Sequence, residues 1–135
     1  RAGTVLPLSK SATGQAFAAF YRSPYLKQLL DVELRAAAET SKTAVTTLRR
    51  QLEKRLTEIR EHGISRATGS LTPGINGFSA PVFDHSGHMV AAITSLGSVG
   101  EFDVEWGSPV AKAMLAAADK LSQRLGHNAA GLSGD

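Results

Sequence analysis

The stretch Pro73-Gly-Ile-Asn-Gly-Phe-Ser-Ala-Pro-Val-Phe-Asp84, continued by His85-Ser-Gly87 and His88-Met-Val-Ala-Ala-Ile-Thr-Ser-Leu-Gly97, decides the fold of this chain. Its two apolar runs, 78–83 and 89–96, flank a polar turn that contains Gly87. This pattern predicts an antiparallel hairpin, and the β-branched residues of the second run argue against one continuous helix. Because the flanking segments read as helices, we expect the hairpin to form the centre of a sheet that helices cover.

Three helices are predicted before the hairpin and one after it. The first follows the candidate N-caps Ser9, Ser11 and Thr13, and the second begins at Ser23-Pro24. The third ends at Gly63, and the last runs from about 106–109 to Leu125. Their predicted buried residues are Tyr25, Leu26, Leu29, Leu30, Val32 and Leu34 in the second helix, Val45, Leu48, Leu52, Leu56 and Ile59 in the third, and Val110, Met114, Ala117, Leu121 and Leu125 in the last.

Two further segments complete the predicted order. A strand is expected over 64–71, and 5–8 reads as the end of another strand. Consecutive strands joined by short connections predict a mostly antiparallel sheet, so the fold class is α+β with helices packed on the sheet. We expect one domain over 1–126 and a flexible tail over 127–135.

Composition excludes several functions. The chain has 135 residues and no cysteine, which rules out disulfides, thiolate metal sites and cysteine-dependent enzymes such as a sulfoxide reductase. No apolar run is long enough to predict a membrane span. The net charge of +3 is concentrated in 42–62, where six Lys and Arg alternate with three Glu. That mixture is typical of a solvated helix face rather than of a DNA-binding stripe.

No catalytic constellation is recognisable. His85 and His88 straddle the hairpin turn instead of sharing a helix face, so we predict no metal site there. Asp84 is the only acid between Gly63 and Gly100, and this leaves no carboxylate pair for acid–base chemistry. We therefore expect a domain that binds, without a cofactor, and not an enzyme.

The start of the first helix has two interpretations. Its backbone N–H groups, beside small side chains, have a geometry that accepts an anion. Alternatively, it is a plain helix start at which Gly14 allows close packing.

Five motifs in register then resemble a known family. The segment 3–20 resembles the G-x-x-L-P-L-x-x-[ST]-A-x-G-[KRQ]-A opening of the C-terminal domain of IclR-family transcriptional regulators. Arg60-Glu-His-Gly63, the strand 73–84, Val90-Ala-Ala-Ile93 and the closing segment 116–126 follow in the family's order.

The resemblance implies a GAF-like domain that binds a small-molecule effector in a bacterial, cytoplasmic repressor or activator. It also implies a homodimer or tetramer. DNA would be bound only through an N-terminal winged helix-turn-helix, which this sequence does not contain, and no contact with a membrane is expected.

The resemblance also implies an effector site made of three segments: Ala12, Thr13 and Gly14; Ile75 and Gly77; Thr94 and Leu96. The strand residues of each pair are two apart, so each pair faces one side of its strand. Phe17, Phe78 and Leu96 would supply apolar walls, which together with the helix start suggests a small organic or aromatic acid.

One departure concerns the first strand of the predicted sheet. Many family members carry an acidic cluster where this chain has Ala67-Thr-Gly-Ser70. Arg66 beside Ala67 is therefore either the counter-charge to an acid or a surface residue of an edge strand. The competing function is a pure oligomerisation module, and a void of several hundred Å³ between the hairpin and the first helix would favour sensing.

Overall fold

A computed structural model describes residues 8–69 and 73–128 of the chain. These residues form four helices and three strands in the order α1 (Ala12–Phe20), α2 (Pro24–Ser41), α3 (Val45–His62), β1 (Ser65–Thr68), β2 (Ile75–Phe83), β3 (Met89–Ser98) and α4 (Pro109–Arg124). The α+β class is confirmed. The predicted strand end over 5–8 falls almost entirely outside the described residues, as does most of the predicted tail, and the domain division stays a prediction.

The strands form an antiparallel sheet in the order β1-β2-β3, with β2 in the middle. The predicted hairpin is present and is longer than its apolar runs suggested. The first strand is shorter than predicted and ends at Thr68. Gly87 adopts φ +80° in the hairpin turn, a conformation that suits glycine.

Both faces of the central strand are covered, because successive residues of β2 point to opposite sides. Phe78, Ala80 and Val82 are fully buried and pack with Ile64 and α4. Gly77, Ser79 and Pro81, also buried, alternate with them and lie on the side of α1, which contacts all three strands. A second apolar cluster joins α1, α2 and α3 around Leu34, Leu52 and Leu56. The predicted stripe of α3 is therefore confirmed.

The predicted buried face of α4 is confirmed at Met114, with Val110 packed against the core, but farther along the helix it is rotated by one position. Ala117, Leu121 and Leu125 are exposed, whereas the buried residues are Ala111, Met114, Ala118 and Ser122. Ser122 explains the rotation, because its hydroxyl donates to the carbonyl of Ala118 (2.8 Å) and accepts from the amide of Phe83 (2.9 Å). A sequence count of apolar residues overlooks a serine that is buried by its hydrogen bonds.

The predicted buried side of α2 was also largely wrong. Only Leu34 is buried, and Tyr25, Leu29 and Val32 are exposed at 69%, 37% and 66%. These three residues recur at helical spacing and form an apolar stripe on the outer side of α2. Within the described ranges no helix is both long and apolar enough to cross a membrane.

Candidate functional site

The start of α1 is fixed to the sheet by hydroxyl groups. Ser11 caps the helix, its Oγ accepting from the amide of Gly14 at 2.9 Å, so Ser11 is the N-cap among the three candidates. The hydroxyl of Ser65 on β1 donates to the carbonyl of Ala12. Gln15 is buried, and its Nε2 donates to the carbonyl of Ser9 at 2.9 Å.

Gly14 is required for close packing. A Cβ at this position would lie 2.6 Å from Cα of Leu8 and 2.7 Å from its carbonyl oxygen, which is closer than real Cβ contacts. The plain-packing interpretation of Gly14 is thus supported. The turn preceding α1 folds directly over the helix because this residue has no side chain.

Three hydroxyls form a chain between α1 and the hairpin. The Oγ atoms of Thr13 and Thr94 are 2.6 Å apart, and Thr94 also donates to Oγ of Ser79 at 2.9 Å. Ser79 pairs with Thr94 in the β2–β3 register, so both side chains emerge on the α1 side of the sheet. The structure thereby brings together the predicted helix and strand segments of the site.

The rest of the predicted strand positions lie beside this chain of hydroxyls. Gly77 pairs with Ala67 on one side and Leu96 on the other, which places all three on the α1 face. A Cβ at Gly77 would lie 2.6 Å from Cδ2 of Leu96 and 3.8 Å from Cβ of Ala12. The space left by this glycine is therefore partly filled by Leu96, whose side chain is otherwise 66% exposed. Ile75 lies at the margin of the same strand and is 36% exposed.

Arg66 does not join these residues. It pairs with Phe78, so its side chain leaves β1 on the α4 side, opposite to Ala67. Its guanidinium lies 4.1 Å from the ring centroid of Trp106, and Nη1 donates to the carbonyl of Val104 at 2.6 Å. Strand alternation therefore separates Arg66 from the α1-face residues, and its role as the counter-charge to an acid stays a prediction. Phe78, proposed as an apolar wall, is likewise buried in the α4-side core.

A cavity of about 820 Å³ opens farther along α1, between the end of the helix and the hairpin turn. We call it the hairpin cavity; Phe17, Phe20, Tyr21, Arg22, Gly87, His88, Met89 and Val90 line it. Thr13, Phe17 and Tyr21 follow one another at four-residue steps, so the chain of hydroxyls and the cavity share one side of α1. The rings of Phe17 and Tyr21 meet edge to face at 5.7 Å.

Sequence reasoning identified only Phe17 of this lining. The four-residue spacing from Thr13 to Tyr21 could have revealed a second aromatic ring. Arg22 and His88 carried no such signal, since one lies just past a helix end and the other in a turn. Arg22 directly follows Tyr21 in the sequence, is exposed, and lines the cavity.

The hairpin turn beside this cavity is held by Asp84. Burial by itself would raise the pKa of Asp84, but the amides of His88 and Ser86 donate to its Oδ1 at 3.1 and 2.9 Å. These bonds, with the nearby imidazoles of His85 and His88, lower the pKa of Asp84 below its ordinary value. His127, just past the end of α4, also contacts the turn, with Nδ1 3.1 Å from the carbonyl oxygen of Asp84. Among the described residues, no three His, Asp or Glu side chains are grouped to hold a metal ion.

The model of the family described as "Bacterial transcriptional regulator IclR C-terminal" matches residues 1–123. No curated protein matches significantly.

Several solved structures share the fold. Pseudomonas aeruginosa HmgR is 34% identical over 96% of this chain and 49% of its own, with a TM-score of 0.76. Thermotoga maritima IclR is 25% identical over 94% of this chain and 50% of its own, with a TM-score of 0.69. The Agobacterium tumefaciens repressor BlcR is also 25% identical, over 94% of this chain and 51% of its own, with a TM-score of 0.67. The chain spans about half the length of these proteins. With a family model that covers nearly its whole length, this chain belongs to the IclR family of bacterial transcriptional regulators, as its C-terminal domain.

Proposed function

We propose that this domain senses a small organic or aromatic acid and thereby controls DNA binding by the regulator of which it is part, through the geometry of an oligomer. Domains of this family are regulatory and not enzymes. In our proposal, DNA is contacted only by a separate N-terminal domain, and the protein acts in the cytoplasm.

The observation that carries the proposal is the hairpin cavity. Its volume of about 820 Å³ lies within the range of small-molecule sites, and it is located between α1 and the hairpin. Aromatic side chains from α1 offer faces and edges for an apolar or aromatic body. The guanidinium of Arg22 supplies the donors that a carboxylate needs.

The hydroxyls of Thr13 and Thr94 support the second part of the proposal. They lie on the same side of α1 as Phe17, so an effector that extends along the helix reaches a pair of polar groups linking α1 to β3. A ligand that bonds to either hydroxyl competes with the contact between them. Binding would then alter how α1 sits on the sheet, which is the kind of differential contact that a switch requires.

A comparison of how tightly carboxylates and their neutral amides bind distinguishes this proposal from unspecific apolar binding. The domain is titrated by calorimetry with benzoate, phenylacetate and short aliphatic acids, each beside its amide. We expect acids to bind at least tenfold more tightly, and Arg22→Gln to abolish the difference, since a charge-assisted hydrogen bond is lost. Arg124→Gln, a like change on exposed α4, is the control. Equal binding of acid and amide overturns the proposal.

A second candidate function, oligomerisation without sensing, is favoured by the outer stripe of α2. Tyr25, Leu29 and Val32 expose apolar surface at helical spacing, and IclR-family regulators oligomerise. We propose that a second copy of the chain covers this stripe. Val32→Glu should shift native mass spectra of the full-length regulator towards monomer, whereas Gln51→Glu on exposed α3 should not. If Val32→Glu leaves the assembly intact, the stripe is not the interface.

A further inference from the structure

A second cleft lies between β1, α3 and the turn before α1, away from the hairpin cavity. It consists of a cavity of about 280 Å³ and an adjoining one of about 190 Å³. Gln15, Arg55, Arg66 and Thr68 line both cavities, and we call the two together the β1-edge cleft. The β1 residues Arg66, Ala67 and Thr68 line the cleft, and no strand of the described sheet pairs with the outer side of β1.

Positive charge dominates the β1-edge cleft. Lys10 from the turn before α1, Arg55 from α3 and Arg66 from β1 line it, and Glu58 is the only acid among its lining residues. Arg55 and Arg66 thereby bring two guanidinium groups to the cleft from two separate elements of the fold. Neither Arg55 nor Arg66 forms an ion pair within the described ranges.

Arg66 is held in place before any ligand arrives. Its guanidinium lies over Trp106 at 4.1 Å and donates through Nη1 to the carbonyl of Val104. Trp106 is in turn stacked on the ring of His62, with centroids 4.2 Å apart and planes 4° from parallel. A guanidinium has five N–H donors, and one bond to Val104 leaves others for a ligand. Because Arg66 is already ordered, binding costs little additional side-chain entropy.

We propose that the β1-edge cleft binds a small dianion, of the dicarboxylate or phosphate class. Guanidinium groups recognise carboxylates and phosphates through paired N–H donors, and the two charges of a dianion match the two guanidinium groups of Arg55 and Arg66. The cleft volume, at the lower end of ligand sites, suits a molecule of few heavy atoms. This site would be independent of the effector proposed for the hairpin cavity.

Trp106 makes the proposal measurable, because it is the only tryptophan of the chain and lines the cleft. The full chain is titrated at constant ionic strength with succinate and with inorganic phosphate, and Trp106 fluorescence is followed. Acetate and succinamide serve as the monoanionic and neutral comparisons. We expect a saturable change in Trp106 fluorescence with succinate, with phosphate or with both. The dianion that binds more tightly shows whether the natural ligand is a carboxylate or a phosphate.

Arg55→Gln and Lys54→Gln form the matched pair of variants. Both remove one positive charge from exposed positions of α3, but only Arg55 lines the cleft. Arg55 makes no hydrogen bond within the described residues, so its replacement should leave folding intact. We expect Arg55→Gln to weaken dianion binding about tenfold or more and Lys54→Gln to leave it within about twofold.

Three results would overturn the assignment. One is the absence of any saturable Trp106 response to either dianion. Another is that Lys54→Gln weakens dianion binding as much as Arg55→Gln does, which would indicate general charge attraction. The third is a loss of binding in Arg22→Gln together with normal binding in Arg55→Gln, which would locate the dianion in the hairpin cavity instead.

Discussion

The hydroxyl oxygens of Thr13 and Thr94 lie 2.6 Å apart and join α1 to β3 across 81 positions of the sequence. Thr94 also donates to Ser79, which is fully buried, so one side chain connects the helix to both strands of the hairpin. Local sequence preferences cannot position two residues so distant in the chain. Their contact depends on α1 packing on the sheet in one orientation.

Thr94→Val tests the energetic role of this contact. Valine keeps the β-branched shape but removes both hydrogen bonds and leaves the buried Ser79 hydroxyl without this donor. We expect the free energy of unfolding to fall by about 1–3 kcal/mol in urea denaturation. Ser95→Ala is the control, because the Ser95 side chain forms no hydrogen bond within the described residues. Equal stability of the two variants would mean that the hydroxyl chain is not structural.

Gly14→Ala should reverse the usual effect of this substitution in a helix. Alanine is favoured over glycine in helices by about 1 kcal/mol, yet here its methyl group would overlap Cα of Leu8. We expect a net loss of about 1–3 kcal/mol in the free energy of unfolding. Gly107→Ala, at a position where an added Cβ meets nothing within 4 Å, should be close to neutral. A stabilised Gly14→Ala variant would contradict the close approach of the preceding turn.

Lys42→Gly should stabilise the domain. Lys42 caps α2 with φ +57°, and it is the only residue other than glycine with positive φ in the described ranges. Relieving this left-handed conformation gains about 1 kcal/mol, part of which is offset by the greater freedom of glycine in the unfolded chain. A rise in the thermal midpoint is therefore expected. Glu39→Gly, inside the same helix and exposed, should lower the midpoint instead.

Asp84 should make stability dependent on pH in the acidic range. Its pKa in the folded protein is below the ordinary value of 3.8, so the unfolded chain takes up the proton first as pH falls. The stabilisation is therefore present above about pH 4 and is lost as pH falls through the folded pKa. Asp84→Asn should lose less stability than the unchanged chain between about pH 5 and 2, measured by urea denaturation at each pH. Parallel pH profiles would contradict the role of this carboxylate. Asp31, whose pKa the bond to Arg49 lowers, is present in both proteins and cancels in the comparison.

Sequence patterns were sufficient for the order and type of the elements. Apolar residues that recur at strand or helix spacing indicate which face of an element is buried. The predicted caps Ser11, Ser23 and Gly63 lie where the helices begin or end. The same logic failed for α4, where a hydrogen-bonded serine is buried and two leucines are exposed. It failed for α2 because an apolar residue on a helix need not face the core of its own domain.

The candidate site was only partly predictable for a similar reason. Two-residue spacing put Gly77 on the same face as Ile75, and Leu96 on the same face as Thr94, and in the sheet Gly77 pairs with Leu96. Arg66 and Ala67 were predicted together, yet they lie on opposite sides of β1, since adjacent strand residues point in opposite directions. The aromatic lining of the hairpin cavity depends on where α1 ends over the turn at Gly87, a tertiary relationship that no local motif encodes.

The outer edge of β3 has a practical consequence for handling the protein. This strand has ten residues, contains no charged side chain or proline, and has no partner on that side among the described strands. Natural sheets usually protect such edges, because exposed N–H and C=O groups recruit further strands. Where this edge stays unpaired, concentrated samples are expected to form intermolecular sheets, and a lysine in place of the exposed Val90 should reduce that association.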